Sequence, residues 1–137
     1  MLRTDAKTRL IAKVPLFQEL SKRDLAKIAS IADEIDFRTG KALIREGERG
    51  REFFILLDGE AEVGRRGKKL ATRGAGDFFG EIALVSNVPR VATVTTTSPV
   101  RALVITDRDF RSLLRSSPPI ALKVLEAVAQ RIPADAV

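Results

Sequence analysis

The segment from Phe78 to Val94 sets a glycine, a glutamate, a proline and an arginine where they could grip a sugar phosphate. Gly80 would let a ligand approach the backbone with no side chain in the way. Glu81 to Leu84 suit one brief helical turn, whose first amides have no intrahelical acceptor and can donate to an anion. Pro89 limits the backbone just before Arg90, the only cation between Arg73 and Arg101. A guanidinium holds two phosphate oxygens in a fork, a charge-assisted contact of about 1.5–3 kcal/mol. A carboxylate would repel that phosphate, so Glu81 fits only as an acceptor from hydroxyls such as those of a ribose. The same residues are also consistent with an exposed Glu and Arg beside a loop, and local spacing leaves the two readings open.

Other chemistries are thinned out by what the chain lacks. There is no histidine and no cysteine among its 137 residues. That excludes thiolate metal sites, disulfides, Ser-His or Cys-His relays and His-based acid–base work. We therefore expect no metal, no cofactor and no enzymatic activity. The formal charge of +6 points toward anionic partners. The charge is uneven: residues 31–60 are net acidic, 81–100 balance, and one tract, Arg65-Arg66-Gly67-Lys68-Lys69, is strongly basic. This tract reads as a hairpin tip, either a solvated turn or a phosphate-contacting loop. With no Tyr or Trp, a single-strand nucleic-acid binder built on stacking platforms is disfavoured. The longest apolar run, Phe53 to Leu57, has strand length, well short of the ~20 residues of a spanning helix. With no leader-like apolar region near Met1, the expectation is a cytoplasmic protein without a membrane span.

The elements that must hold such a site are helices at both ends and strands between. Ser21 with Asp24 is a capping-box variant, and Leu25, Ile28, Ala29 and Ala32 follow at helical spacing, predicting a helix near 21–33. A weaker helical segment precedes it near 4–13, with Pro15-Leu16-Phe17 as the break. From about 35 to 105, short apolar runs alternate with Gly, Asp and Asn turns, a pattern of sandwiches and barrels for which a jelly roll is the natural member. Asp58-Gly59 reads as a type I′ hairpin turn joining Phe53–Leu57 to Ala61–Val63. Thr106 can cap a helix carrying Phe110, Leu113 and Leu114. Ser117-Pro118-Pro119 opens a last one reaching about 132, with Ile120, Leu122, Val124, Leu125, Val128, Ala129 and Ile132 on its apolar side. The reading is one domain over 1–137, mainly β with flanking helices.

The segment 78–94 resembles the phosphate-binding cassette of cyclic nucleotide-binding domains, with its Gly-Glu and Pro-Arg elements in order and at that family's spacing. The likeness extends to Val14-Pro15-Leu16-Phe17 with Leu20-Ser21, to Gly40, to Ile44-Arg45-Glu46-Gly47-Glu48 and to Phe53 through Glu60. It implies a β-roll, a double-stranded jelly roll, with a short cassette helix between N-terminal and C-terminal helices. It implies that Glu81 accepts from the ribose 2′-hydroxyl and Gly80 lies against the same sugar. Arg90 would pair with the exocyclic oxygens of the cyclic phosphate, and the amides of Ile82, Ala83 and Val91 would donate to it or close the wall. Relatives preferring cGMP commonly carry a hydroxyl residue after the cassette arginine. Here it is Val91, which favours cAMP, with cGMP the lesser ligand. Leu125, Val128, Ala129 and Ile132 are candidates for a lid over the base, and equally for plain helix packing. The regulated effector would be a separate protein or a domain not present here, since no helix-turn-helix or other DNA-binding motif follows the last helix. The alternatives are a degenerate domain of the same fold serving as a docking or basic, nucleic-acid-binding surface, and a cupin-like enzyme, which the missing histidines disfavour.

Overall fold

Phe53-Phe54-Ile55-Leu56-Leu57 is apolar at consecutive positions because this strand is covered on both faces, the condition under which alternation disappears. In the computed structural model, which describes residues 4–131, it forms the body of β3 (Glu52–Asp58). Phe53 and Ile55 point to a layer of helices; Phe54 and Leu56 point into the interior of a roll. The central partner is β8 (Val100–Thr106), whose Leu103 and Ile105 join the helical side and whose Ala102 and Val104 face inward.

Two four-stranded antiparallel sheets make the roll. One has the order β1 (Asp33–Phe37), β8, β3, β6 (Phe78–Phe79). The other has the order β2 (Ala42–Ile44), β7 (Thr93–Thr96), β4 (Ala61–Arg65), β5 (Lys68–Arg73). The jelly-roll expectation holds. Ile44, Ala61 and Val94 of the second sheet meet Phe54, Leu56, Phe79, Val100, Ala102 and Val104 of the first in one buried cluster.

The outer face of the first sheet is covered by helices that the capping residues delimit. In α1 (Thr4–Ala12), Ile11 is fully buried, and a 3-10 turn over Pro15–Phe17 follows it. Ser21 caps α2 (Lys22–Ile31) by accepting from the Asp24 amide at 3.1 Å. Thr106 caps α4 (Asp107–Ser116) by accepting from the Asp109 amide at 3.2 Å. Pro118 opens α5 (Pro118–Gln130). Phe110 of α4 stacks on Phe53 at 4.3 Å between centroids, tying this layer to the sheet. Among the described residues helical positions outnumber strand positions, so the β character belongs to the binding core more than to the whole chain.

One turn differs from the sequence expectation. Asp58-Gly59 does not close a hairpin, because β3 and β4 lie in different sheets. It is a corner: Gly59 takes φ +89°, and a Cβ there would lie 2.2 Å from the Pro99 carbonyl oxygen. The two-residue hairpin turn falls instead at Arg66-Gly67, where both residues have positive φ (53° and 77°) and Arg65 pairs with Lys68. The basic tract is thus a hairpin tip, as expected. Its Arg66 amide donates to Glu46 Oε1 at 3.0 Å.

Candidate functional site

Between β6 and β7 the chain leaves the sheets and forms the segment that the sequence singled out. Gly80 adopts φ +95° and starts α3 (Glu81–Ser86), and Asn87 ends it at φ +54°. Glycine is required at position 80 on two counts. The backbone is left-handed, and a Cβ would come within 3.0 Å of both Arg90 Nη1 and the Glu52 carbonyl oxygen. The return path is pinned to the loop after β2: the Arg90 amide donates to the Glu48 carbonyl at 2.8 Å, and the Gly47 amide donates to the Arg90 carbonyl at 2.8 Å. Arg65 Nε, from β4, donates to the Val91 carbonyl at 2.7 Å.

All six residues predicted to bind ligand, Gly80, Glu81, Ile82, Ala83, Arg90 and Val91, line one cavity of about 270 Å³. Its apolar wall includes Ile44, Val63, Leu70, Ala71 and Phe79. Arg90 is buried, and its guanidinium donates from Nη1 to the Gly80 carbonyl at 2.8 Å and from Nη2 to the Glu52 carbonyl at 2.6 Å. Burial pushes the Arg90 guanidinium below its ordinary pKa, opposed by the nearby Glu52 and Glu81 carboxylates. Carbonyl dipoles aim this cation without neutralising it, which suits it to an incoming anion.

Glu81 is 1% exposed, so its carboxylate needs a partner. The partner is Arg131, the C-cap residue of α5, whose Nη1 donates to Glu81 Oε1 at 2.5 Å. Arg131 Nη2 also donates to the Phe78 carbonyl at 2.5 Å, and its guanidinium carbon sits 4.7 Å from the centroid of the Phe78 ring. The end of the last helix is therefore latched onto the cassette. This residue was not anticipated: a cation at a helix C-terminus is ordinarily accounted for by the helix dipole, and nothing in the local pattern ties it to a residue fifty positions earlier. The lid candidates sit elsewhere. Leu125 and Ala129 are exposed, Val128 packs against the helix-side core, and none of the three lines the cavity. Ile132 lies outside the described residues.

The charged lining is four arginines (Arg65, Arg73, Arg90 and Arg131) and one glutamate. Among the described residues no cluster of metal-ligating side chains accompanies it, and no helix is long and apolar enough to cross a membrane. A roll of two sheets with a cassette beside a cavity of this lining, net cationic with an apolar wall, suits a small anionic molecule. Residues 34–117 match the cyclic nucleotide-binding domain, and the chain belongs to that family. It is 38% identical over 115 residues to a cAMP-dependent protein kinase regulatory subunit of Mycosarcoma maydis, covering 77% of this chain and 22% of that protein. Among solved structures, cAMP-bound PfPKA-R superposes with a TM-score of 0.84 at 28% identity, over 93% of this chain and 44% of that one. The regulatory subunit of a cAMP-independent protein kinase A from Trypanosoma brucei does so with a TM-score of 0.83 at 26% identity, over 93% and 46%. The chain spans about a fifth to a third of the length of the first curated relatives it matches.

Proposed function

We propose that this chain is a non-catalytic regulatory module of the cytoplasm that binds a cyclic nucleotide, cAMP in preference to cGMP, and signals through its terminal helices. The carrying observation is that Glu81 and Arg90 share one cavity with an apolar wall, a hydroxyl acceptor and a carbonyl-aimed cation in the same chamber. The relatives described as cAMP-dependent or cAMP-bound support the ligand class. The trypanosome neighbour, described as cAMP-independent, superposes almost as well, so the reading rests on the charged groups of the cavity and not on the fold. In this reading Arg90 takes the cyclic phosphate, Glu81 the ribose hydroxyl, and the amides of Ile82, Ala83 and Val91 complete the phosphate wall. Val91 lacks a hydroxyl for the guanine amino group, a loss of about 0.5–1.5 kcal/mol against cGMP.

The route outward runs through Arg131. A ligand that engages Glu81 acts on the acceptor to which the end of α5 is latched, so α5 has different contacts with and without it. Such a difference in contacts is what a ligand needs to shift an equilibrium between two states. The regulated partner is an effector protein or an effector domain joined to this module. Calorimetry with cAMP and cGMP on the wild type, Arg90→Leu and Glu81→Ala tests the site. Arg90→Leu should lose about 10- to 150-fold in affinity, the worth of a charged hydrogen bond. No binding by the wild type, or full affinity in Arg90→Leu, rejects the assignment. For the route, removing the chain after Ser117 should weaken binding, and hydrogen exchange in α5 should respond to nucleotide; an unchanged affinity rejects it.

A further inference from the structure

Two atoms in the cavity residues are buried and, among the described residues, lack a hydrogen-bond partner: Nε of Arg73 and Oε2 of Glu81. The third such atom among the described residues, Ser117 Oγ, is not in the cavity lining. One of the cavity pair is a donor and the other an acceptor. Arg73 closes β5, opposite Ala61 of β4, and lies two residues after Ala71 on the same face of the strand, so both enter the cavity lining. Burial pushes the Arg73 guanidinium below its ordinary pKa, Arg131 pushes it the same way, and Asp77 and Glu81 oppose them. Arg73 is half-buried as a residue, but its Nε–H is shut off from solvent, and an N–H so placed is costly to leave without an acceptor.

A hydroxyl satisfies both atoms at once, since its hydrogen donates to a carboxylate while its oxygen accepts from an N–H. We propose that Arg73 is a second specificity-determining residue of this cavity, its Nε–H donating to the oxygen of the same ligand hydroxyl whose hydrogen goes to Glu81 Oε2. The inference rests on the cyclic nucleotide reading above, in which that hydroxyl is the ribose 2′-OH. Glu81 alone would read the hydroxyl once. With Arg73 it is read from both sides, and a ligand without it leaves two buried groups unpaired.

The experiment compares cAMP with 2′-deoxy-cAMP by calorimetry on the wild type, Arg73→Met and Arg73→Lys. The wild type should bind the deoxy analogue about a hundredfold more weakly or worse. In Arg73→Met that ratio should shrink about tenfold, because cAMP loses a contact that the deoxy analogue never made. Arg73→Lys keeps the charge but not the Nε–H, so its ratio should follow the methionine variant. The thermal midpoints of the three proteins without nucleotide identify any loss of fold, and the ratio within each protein is independent of it. Equal weakening of both nucleotides, or a wild-type ratio retained in either variant, overturns the proposal while leaving cyclic nucleotide binding intact. A wild type that binds neither nucleotide overturns the functional reading itself.

Discussion

Replacing Arg131 with glutamine should destabilise the protein in a way that depends on Glu81. The Glu81 carboxylate is 1% exposed, and its one hydrogen-bonding partner among the described residues is Arg131. Breaking a buried ion pair by removing one member costs about 3–5 kcal/mol when both groups are buried. Here the arginine side chain keeps 27% of its exposure, so solvent recovers part of that, and we expect about 2 kcal/mol. For a domain of this length a loss of 2 kcal/mol lowers the thermal midpoint by roughly 6–8 °C. The assay is a double-mutant cycle by urea unfolding at neutral pH with Arg131→Gln, Glu81→Gln and both together. If the cost is the stranded carboxylate, Arg131→Gln should be nearly silent once Glu81 is glutamine. Its remaining contacts with the Phe78 carbonyl and ring would then account for about 0.5–1 kcal/mol. An equal cost in both backgrounds would refute the latch and place the contribution of Arg131 in helix packing alone.

Two further perturbations test the scaffold. Gly80→Ala should cost about 2 kcal/mol from the left-handed backbone and the 3.0 Å approach of a Cβ to Arg90 Nη1, and should weaken nucleotide binding because Arg90 is displaced; unfolding and calorimetry on one variant check both. Asp36, hydrogen-bonded by Arg101 Nε at 2.9 Å, has its pKa held below the ordinary aspartate value, first by that hydrogen bond. A lowered folded-state pKa gives stability that is present above the unfolded value and lost as pH falls through the folded one. The difference between the wild type and Asp36→Asn should therefore fade from about pH 5 downward and shrink in high salt, since both groups are solvent-exposed. A difference independent of pH would put the effect in β1–β8 pairing.

Much of the site could be read along the chain because its parts are local. Gly80 and Glu81 are adjacent, Arg90 follows after one short helix, and the backbone demands at Gly80 belong to that residue type. The caps at Ser21 and Thr106 are local too, each read from a hydroxyl and an amide three residues on. What escaped depends on pairings between distant segments. Asp58-Gly59 has hairpin chemistry, but its flanking strands go to different sheets, and a continuous apolar run does not say which neighbours it takes. Arg73 looks like an exposed strand cation until the fold sets it beside a buried carboxylate. On α5 the apolar positions drew attention to the base lid, while the contact with the cassette is made by a polar residue at the helix end.

The interior of the roll draws every buried member of its cluster from strands, while the layer over the opposite face of β3 and β8 draws on the helices. The cup and its outer casing share a wall but no furniture. The buried apolar positions of the two fall on separate sets of residues, and the one tie described between them is polar: Arg131, at the end of α5, reaches from the casing into the cavity to hold Glu81. Two such halves can change separately at their buried apolar positions so long as that single polar tie is kept.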